Sequence, residues 1–109
     1  MIKLNYPPKT YAKVTLTRAG RVYKAENALE ANKQHDPIKG PYSIYIAVRP
    51  PMDRDNQLHD IGRPVIDVLK EAGIIKDTLG IDAVNDLRIQ RFNPVKGGSV
   101  EVLVSGVTE

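Results

Sequence analysis

The stretch that decides the fold is residues 42–73, YSIYIAVRPPMDRDNQLHDIGRPVIDVLKEAG. Its first part, 42–49, alternates apolar residues with smaller or polar ones and is bracketed by prolines, which predicts a strand. Its second part carries apolar residues at helical spacing, namely Leu58, Ile61, Val65, Val68, Leu69 and Ala72. This stripe predicts a helix that ends at Gly73, and Pro64 inside it predicts a kink or restart near Arg63.

The segments before this stretch are shorter and less regular. Residues 1–6 alternate and then meet two prolines, which predicts a short first strand. Residues 13–17 are β-branched, and with a turn at 18–21 they predict a small ribbon that pairs back through 22–23. The helix formers of 25–34 predict a short helix that ends before Pro37.

The segments after it favour strands. Residues 84–92 and 99–104 both have strand composition, and 93–98 predicts a long turn that joins them as a hairpin. The order of elements predicts one α+β domain over 1–109, with a mixed sheet flanked by helices.

The amino-acid composition limits the kinds of metal site that this chain can form. The chain has 109 residues, 41% of them hydrophobic and 27% charged, which is typical of one globular domain. It contains no cysteine and only two histidines, His35 and His59, so a metal would be held mainly by carboxylates, which favour Mg²⁺ or Mn²⁺. Without an apolar run for a membrane span or a secretory leader, we expect a cytoplasmic protein that does not contact membranes.

The net charge of +3 is mild. Basic residues recur beside most of the predicted turns, which is compatible with a dispersed nucleic-acid-binding surface. A solvated surface of mixed charge explains the same pattern.

The acidic segment between the strand and the helix is the first candidate site. Asp53 and Asp55 are two residues apart, so in an extended chain they project to one side about 6.6 Å apart at Cα and can share a cation. The alternative is structural: Asp55 or Asn56 caps the helix, and Asp53 adds a favourable charge at its positive end.

Two basic candidates follow on the helix. If the helix begins near Asp55, then His59 and Arg63 lie one and two turns later on the same edge, where they can face phosphate. Ordinary pairing between charged side chains four residues apart is the alternative explanation.

In order, these motifs resemble the RusA-type Holliday-junction resolvases, small endonucleases common on phages and prophages. The resemblance spans nearly the whole chain. It includes Tyr6-Pro7-Pro8, GRVY at 20–23, Asp53-x-Asp55-Asn56, PVIDVLKEAGII at 64–75 and VKGG at 95–98. It implies a RusA-like fold, a homodimer, and Mg²⁺-dependent cleavage of four-way DNA junctions in recombination and repair.

The chain departs from the family pattern just before the helix segment. Four residues, 57–60, stand between Asn56 and the segment in which Arg63 falls on the family's lysine. Without a gap, His59 falls there instead. Arg63 is favoured because Pro64 and Asp67 then match as well.

The resemblance also implies a third catalytic aspartate after the Ala-Gly pair. Asp82 is the first choice for it and Asp77 the second, although an ordinary polar loop would also contain such residues. The implied metal ligands are therefore Asp53, Asp55 and Asp82 or Asp77, with Arg63 or His59 stabilising charge on the phosphate.

Three other functions stay open at this point. A metal nuclease of this kind can act on flaps or forks instead of four-way junctions. A catalytically inert DNA-binding accessory protein would use the basic residues for backbone contacts. A small interaction domain would use the aspartates only as helix caps.

Overall fold

A four-stranded sheet and two helices build the domain. The computed structural model describes residues 1–9, 11, 15–52, 59–76 and 84–107. In chain order the elements are β1 (Ile2–Leu4), α1 (Arg18–Gln34), β2 (Lys39–Arg49), α2 (His59–Glu71), β3 (Val84–Arg91) and β4 (Ser99–Val107). Neither α1 nor α2 is long and apolar enough to cross a membrane.

The sheet has the order β1-β4-β2-β3, so β2 occupies an inner position. It pairs parallel with β3 and antiparallel with β4, and β4 pairs antiparallel with β1. Alternate residues of β2 are buried, from Tyr42 to Val48, whereas the residues between them face the open side of the sheet. The predicted α+β class and mixed sheet are confirmed.

The apolar stripe of α2 covers the buried face of this sheet. Ile61, Val65, Val68 and Leu69 are each at most 2% exposed, as the helical spacing predicted. Gly73 ends the helix region with a φ of +75°, a left-handed conformation that favours glycine. Of the predicted kink or restart near Arg63, the restart is wrong, because α2 runs through Pro64 without a break, and the kink stays a prediction. The proline removes only the hydrogen bond that its N–H would have donated to the carbonyl four residues earlier.

The predicted ribbon is wrong where the structure describes it, because Val22 and Tyr23 lie in α1. The helix begins seven residues earlier than 25–34 suggested. Thr17 caps it by accepting a hydrogen bond from the Gly20 N–H at 3.0 Å. The predicted turn at 18–21 is also wrong, because these residues lie in α1. Glycine is required at position 20 because any Cβ there would overlap the Tyr11 carbonyl oxygen.

The predicted hairpin is also wrong, although both of its strands exist. β3 and β4 are separated by β2, and the connection between them passes the end of that strand. It is fixed there by hydrogen bonds from Phe92 N–H to the Val48 carbonyl (2.8 Å) and from Val95 N–H to the Pro50 carbonyl (3.0 Å). β2 therefore pairs with both strands, and β3 becomes an outer strand of the sheet.

Candidate functional site

The sequence-predicted site residues divide into two groups. Arg63 lies in α2 with its side chain described, and His59 is the first residue of that helix. The predicted metal ligands lie outside the described residues; they are Asp53, Asp55, Asp77 and Asp82. Among the side chains that the structure does describe, no three acidic or histidine groups come together as a metal site.

Arg63 forms part of a short chain of polar contacts. Its Nε lies 3.8 Å from Oδ2 of Asp67, one helical turn further on. The same carboxylate oxygen accepts a hydrogen bond of 2.7 Å from the hydroxyl of Tyr11, which comes from the segment before α1. The Arg63 side chain is 56% exposed and that of Asp67 28%. Asp67 therefore lies beside one side of the Arg63 guanidinium, and more than half of the Arg63 side chain is exposed to solvent.

Tyr11 is held firmly in this chain of contacts. Its side chain is buried, and its ring packs edge-on against Tyr23 with the ring centroids 6.1 Å apart. Burial, then the hydrogen bond to Asp67 and its negative charge, raise the pKa of the Tyr11 hydroxyl above its ordinary value, and Arg63 opposes this shift. Tyr11 therefore stays protonated and donates to Asp67.

Arg63 lines a groove of about 580 Å³ between α2 and β3. The groove floor is apolar, and Val84 and Leu87 of β3 contribute to it. Val84 is the first residue of β3 and follows Asp82 by two positions. Arg63 and Val84 thus line the same groove, and Gly62, next to Arg63, lies against Ile89 and Leu87 further along β3.

A second basic surface lies where β2 and β3 end. Because the two strands are parallel, their carboxyl ends meet at one edge, where Val48 is in register with Arg91. Arg49 lies next to this pair, and its guanidinium carbon stands 5.2 Å from the centre of the Phe92 ring. Both arginines line a groove of about 520 Å³. Asp53 follows Arg49 by only four positions in the chain.

This arrangement suits an anionic ligand. Arginine keeps its charge at every physiological pH, and its planar donors match two oxygens of a phosphate. Ligands of open sheets with parallel strands commonly bind at the carboxyl ends of those strands. Arg49 and Arg91 occupy that place here.

Sequence reasoning missed two of these features. Tyr11 is 56 positions from Asp67, and nothing in the local sequence marks the contact. The stacking of Arg49 on Phe92 depends on the parallel pairing of β2 and β3, which the predicted hairpin did not include. A βαβ interpretation of 42–92 would have brought both strand ends together.

Comparison of the chain with models of known protein families found no match, and comparison with curated proteins found no similar sequence.

Proposed function

We propose that this chain is a Mg²⁺-dependent endonuclease that cuts four-way DNA junctions. The observation that carries the proposal is the pair of arginines, Arg49 and Arg91, at the joined carboxyl ends of two parallel strands, where the segment with Asp53 and Asp55 leaves the sheet. The described residues supply cations for phosphate, and the aspartates supply oxygens for metal. The resemblance to RusA-type resolvases names the substrate.

The proposed metal site consists of Asp53, Asp55 and one of Asp82 and Asp77. The donor set fits Mg²⁺ or Mn²⁺, because the chain offers carboxylates at these positions and contains no thiolate. When bound, such an ion activates water and neutralises charge on the scissile phosphate.

The basic residues have separate roles in this proposal. Arg63, oriented by Asp67, stabilises the charge that develops on the phosphate, and His59 is the alternative for that position. Arg49 and Arg91 contact phosphates away from the cut and hold the DNA backbone.

A binding protein without catalysis is the second candidate, because the same arginines would hold DNA without any metal. A nuclease for flaps or forks uses the same residues on another branched DNA. The test must therefore measure both cleavage and choice of substrate.

The experiment incubates the native chain with labelled four-way junction, flap, fork and linear duplex, with Mg²⁺ or with EDTA. Asp53→Asn and Asp55→Asn should each abolish cleavage and leave junction binding intact or stronger, because the amide keeps the shape and removes a charge that repels phosphate. Asp36→Asn is the matched control, since Asp36 is exposed before β2, at the opposite end of that strand from Arg49.

The outcomes separate the candidates. Mg²⁺-dependent junction cleavage, lost in both variants and kept in the control, supports the proposal. Junction binding without cleavage under any condition supports the inert binding protein. Preference for flaps or forks keeps the nuclease and rejects the junction as substrate.

A further inference from the structure

The two faces of the sheet differ in what packs on them. Buried side chains of α1 and α2 join those of β2 in the core on one face. The side chains on the other face are half-buried or exposed. We call this the open face, and its central residues are Tyr45, Ala47 and Arg49 of β2, Arg88 and Gln90 of β3, and Leu103 of β4.

Tyr45 lies at the centre of the open face. It is in register with Arg88 on one side and with Leu103 on the other. Its hydroxyl donates a hydrogen bond of 2.6 Å to Oε1 of Gln90, on the neighbouring strand. This bond holds the half-buried ring across β2 and β3, so a ligand that stacks on the ring does not have to order it first.

A second aromatic group lies at the end of the open face. Phe92 extends β3 by one residue, since its N–H donates to the Val48 carbonyl at 2.8 Å. The Arg49 guanidinium carbon stands 5.2 Å from the centre of the Phe92 ring. Arg49 follows Tyr45 by four residues, which is about 13 Å along a strand. Aromatic rings and guanidinium planes both stack with nucleic-acid bases.

The charge around these rings is positive. Residues 42–49 and 84–92 contain three arginines, Arg49, Arg88 and Arg91, and one acidic residue, Asp86. The Arg88 side chain is 76% exposed, and its Nε lies 3.6 Å from Asp86 Oδ2. Cations between aromatic groups are complementary to a polyanion with stacking bases. A protein partner fits less well, because the cores of protein interfaces are depleted in charged residues.

The flat arrangement favours unpaired bases over a duplex. In duplex DNA each base is stacked between its neighbours, and only its edges are reached from the grooves. A single strand exposes the faces of its bases, which can then stack on rings of a protein surface.

We propose that the open face binds single-stranded nucleic acid. Bases stack on Tyr45 and on the Arg49–Phe92 pair, and Arg88 contacts a backbone phosphate. The inference extends the proposed function, in which Arg49 and Arg91 contact DNA phosphates, but it requires neither a metal nor a junction.

The test is fluorescence anisotropy of a labelled oligothymidylate of about 20 nucleotides, titrated with the full chain in EDTA. The oligonucleotide should bind at least about tenfold more tightly than a blunt duplex of equal length. Tyr45→Leu and Phe92→Leu should each weaken binding about fivefold or more, the lower end for a lost stacking contact. Tyr45→Phe should keep most of the affinity, because it retains the ring and loses only the bond to Gln90.

The salt dependence separates stacking from phosphate contact. Arg88→Gln should reduce the slope of log affinity against log salt by about 0.7, the value for one phosphate of a single strand. Tyr45→Leu should lower the affinity and leave this slope unchanged. Circular dichroism and urea unfolding of each variant establish that the fold is kept.

The matched controls lie on α1, which packs on the other face of the sheet. Leu29→Ala removes an apolar side chain that is 67% exposed, and Lys33→Gln removes a charge on a side chain that is 72% exposed. Both variants should bind the oligonucleotide like the native chain.

Three results overturn the inference: equal affinity for single strand and duplex, unchanged affinity in both leucine variants, or a Tyr45→Leu variant that dissociates a dimer and still binds the oligonucleotide normally. The last result would show that a second copy covers the open face. None of the three bears on Mg²⁺-dependent junction cleavage, and absence of cleavage leaves single-strand binding in EDTA unaffected, so the two proposals fail separately.

Discussion

At the residue scale, Asp67 is the group on which the described part of the candidate site depends. Its Oδ2 accepts a hydrogen bond from the Tyr11 hydroxyl and lies 3.8 Å from Arg63 Nε, an ion-pair distance. The carboxylate thereby connects the segment before α1 with the exposed face of α2. In the proposed nuclease it would be a positioning residue, because it lies beside Arg63 and, as an anion, would repel phosphate.

Replacing Tyr11 with Phe removes the hydroxyl that donates to Asp67. A hydrogen bond to a charged group contributes about 1.5 kcal/mol or more, so we expect the free energy of unfolding at neutral pH to fall by about that amount. Urea unfolding measures it. An unchanged free energy of unfolding would show that the contact contributes nothing to stability.

The same variant should change the pH dependence of stability. Burial is the largest cause that raises the pKa values of Tyr11 and Tyr23 in the folded chain. Their contribution is therefore complete below the ordinary tyrosine pKa of about 10 and is lost as the pH rises above it. Tyr11→Phe should reduce the alkaline loss of stability, and Tyr23→Phe should do the same. If the free energy of unfolding fell equally with rising alkaline pH in the native chain and in both variants, the raised pKa values of Tyr11 and Tyr23 would be contradicted.

The rate of junction cleavage can show whether Arg63 or His59 stabilises the charge on the phosphate. Arg63→Ala should slow junction cleavage by roughly 10²-fold with a smaller effect on binding, because the lost charge acts mainly in the transition state. His59→Ala should cost little, and any loss should alter the pH profile, since only an imidazole titrates between about pH 5 and 8. Lys70→Ala, exposed at the other end of α2, is the control. If His59→Ala abolished cleavage and Arg63→Ala cleaved normally, His59 and not Arg63 would correspond to the family's lysine.

At the element scale, α1 shows how a single close contact overrides local preference. Helix propensity favours alanine over glycine by about 1 kcal/mol, yet a Cβ on Gly20 would meet the Tyr11 carbonyl oxygen. We expect Gly20→Ala to lower the free energy of unfolding by about 2 kcal/mol, the range of overpacking. Ala25→Gly, exposed in the same helix, should lose only about 1 kcal/mol. A more stable Gly20 variant would contradict the contact.

The elements that the sequence predicted best are those with regular burial. The alternation of 42–49 and the apolar stripe of α2 each follow from one side of the element facing the core. The predicted bounds of both elements are therefore close to the observed ones. The start of α1 depends on Thr17 and on a contact with Tyr11, and the position of β3 depends on pairing with β2, whose residues lie 42 or 43 positions earlier in the chain. Such long-range contacts leave no local periodicity.

In the candidate site, as in the fold, local features were predictable from the sequence and long-range contacts were not. The sequence predicted that Arg63 lies on α2, which is confirmed, and the structure adds Asp67 as its partner, while the role of Arg63 toward phosphate stays a prediction. Tyr11 and the Arg49–Phe92 stack were missed because each joins segments that are remote in sequence.

At the scale of the whole molecule, the parallel pairing of β2 with β3 sets where an anionic ligand is proposed to bind. Arg49 and Arg91 lie together at the carboxyl ends of these strands and line one groove.

The central claim, a carboxylate metal site beside Arg63, is tested most directly by a crystal grown with Mn²⁺ and located by its anomalous scattering. The account predicts Mn²⁺ within about 2.0 to 2.6 Å of oxygens from Asp53 and Asp55 and from one of Asp82 and Asp77, with the Arg63 guanidinium on the same side of the domain. Mn²⁺ bound at other residues, or no Mn²⁺ in the crystal, would contradict it.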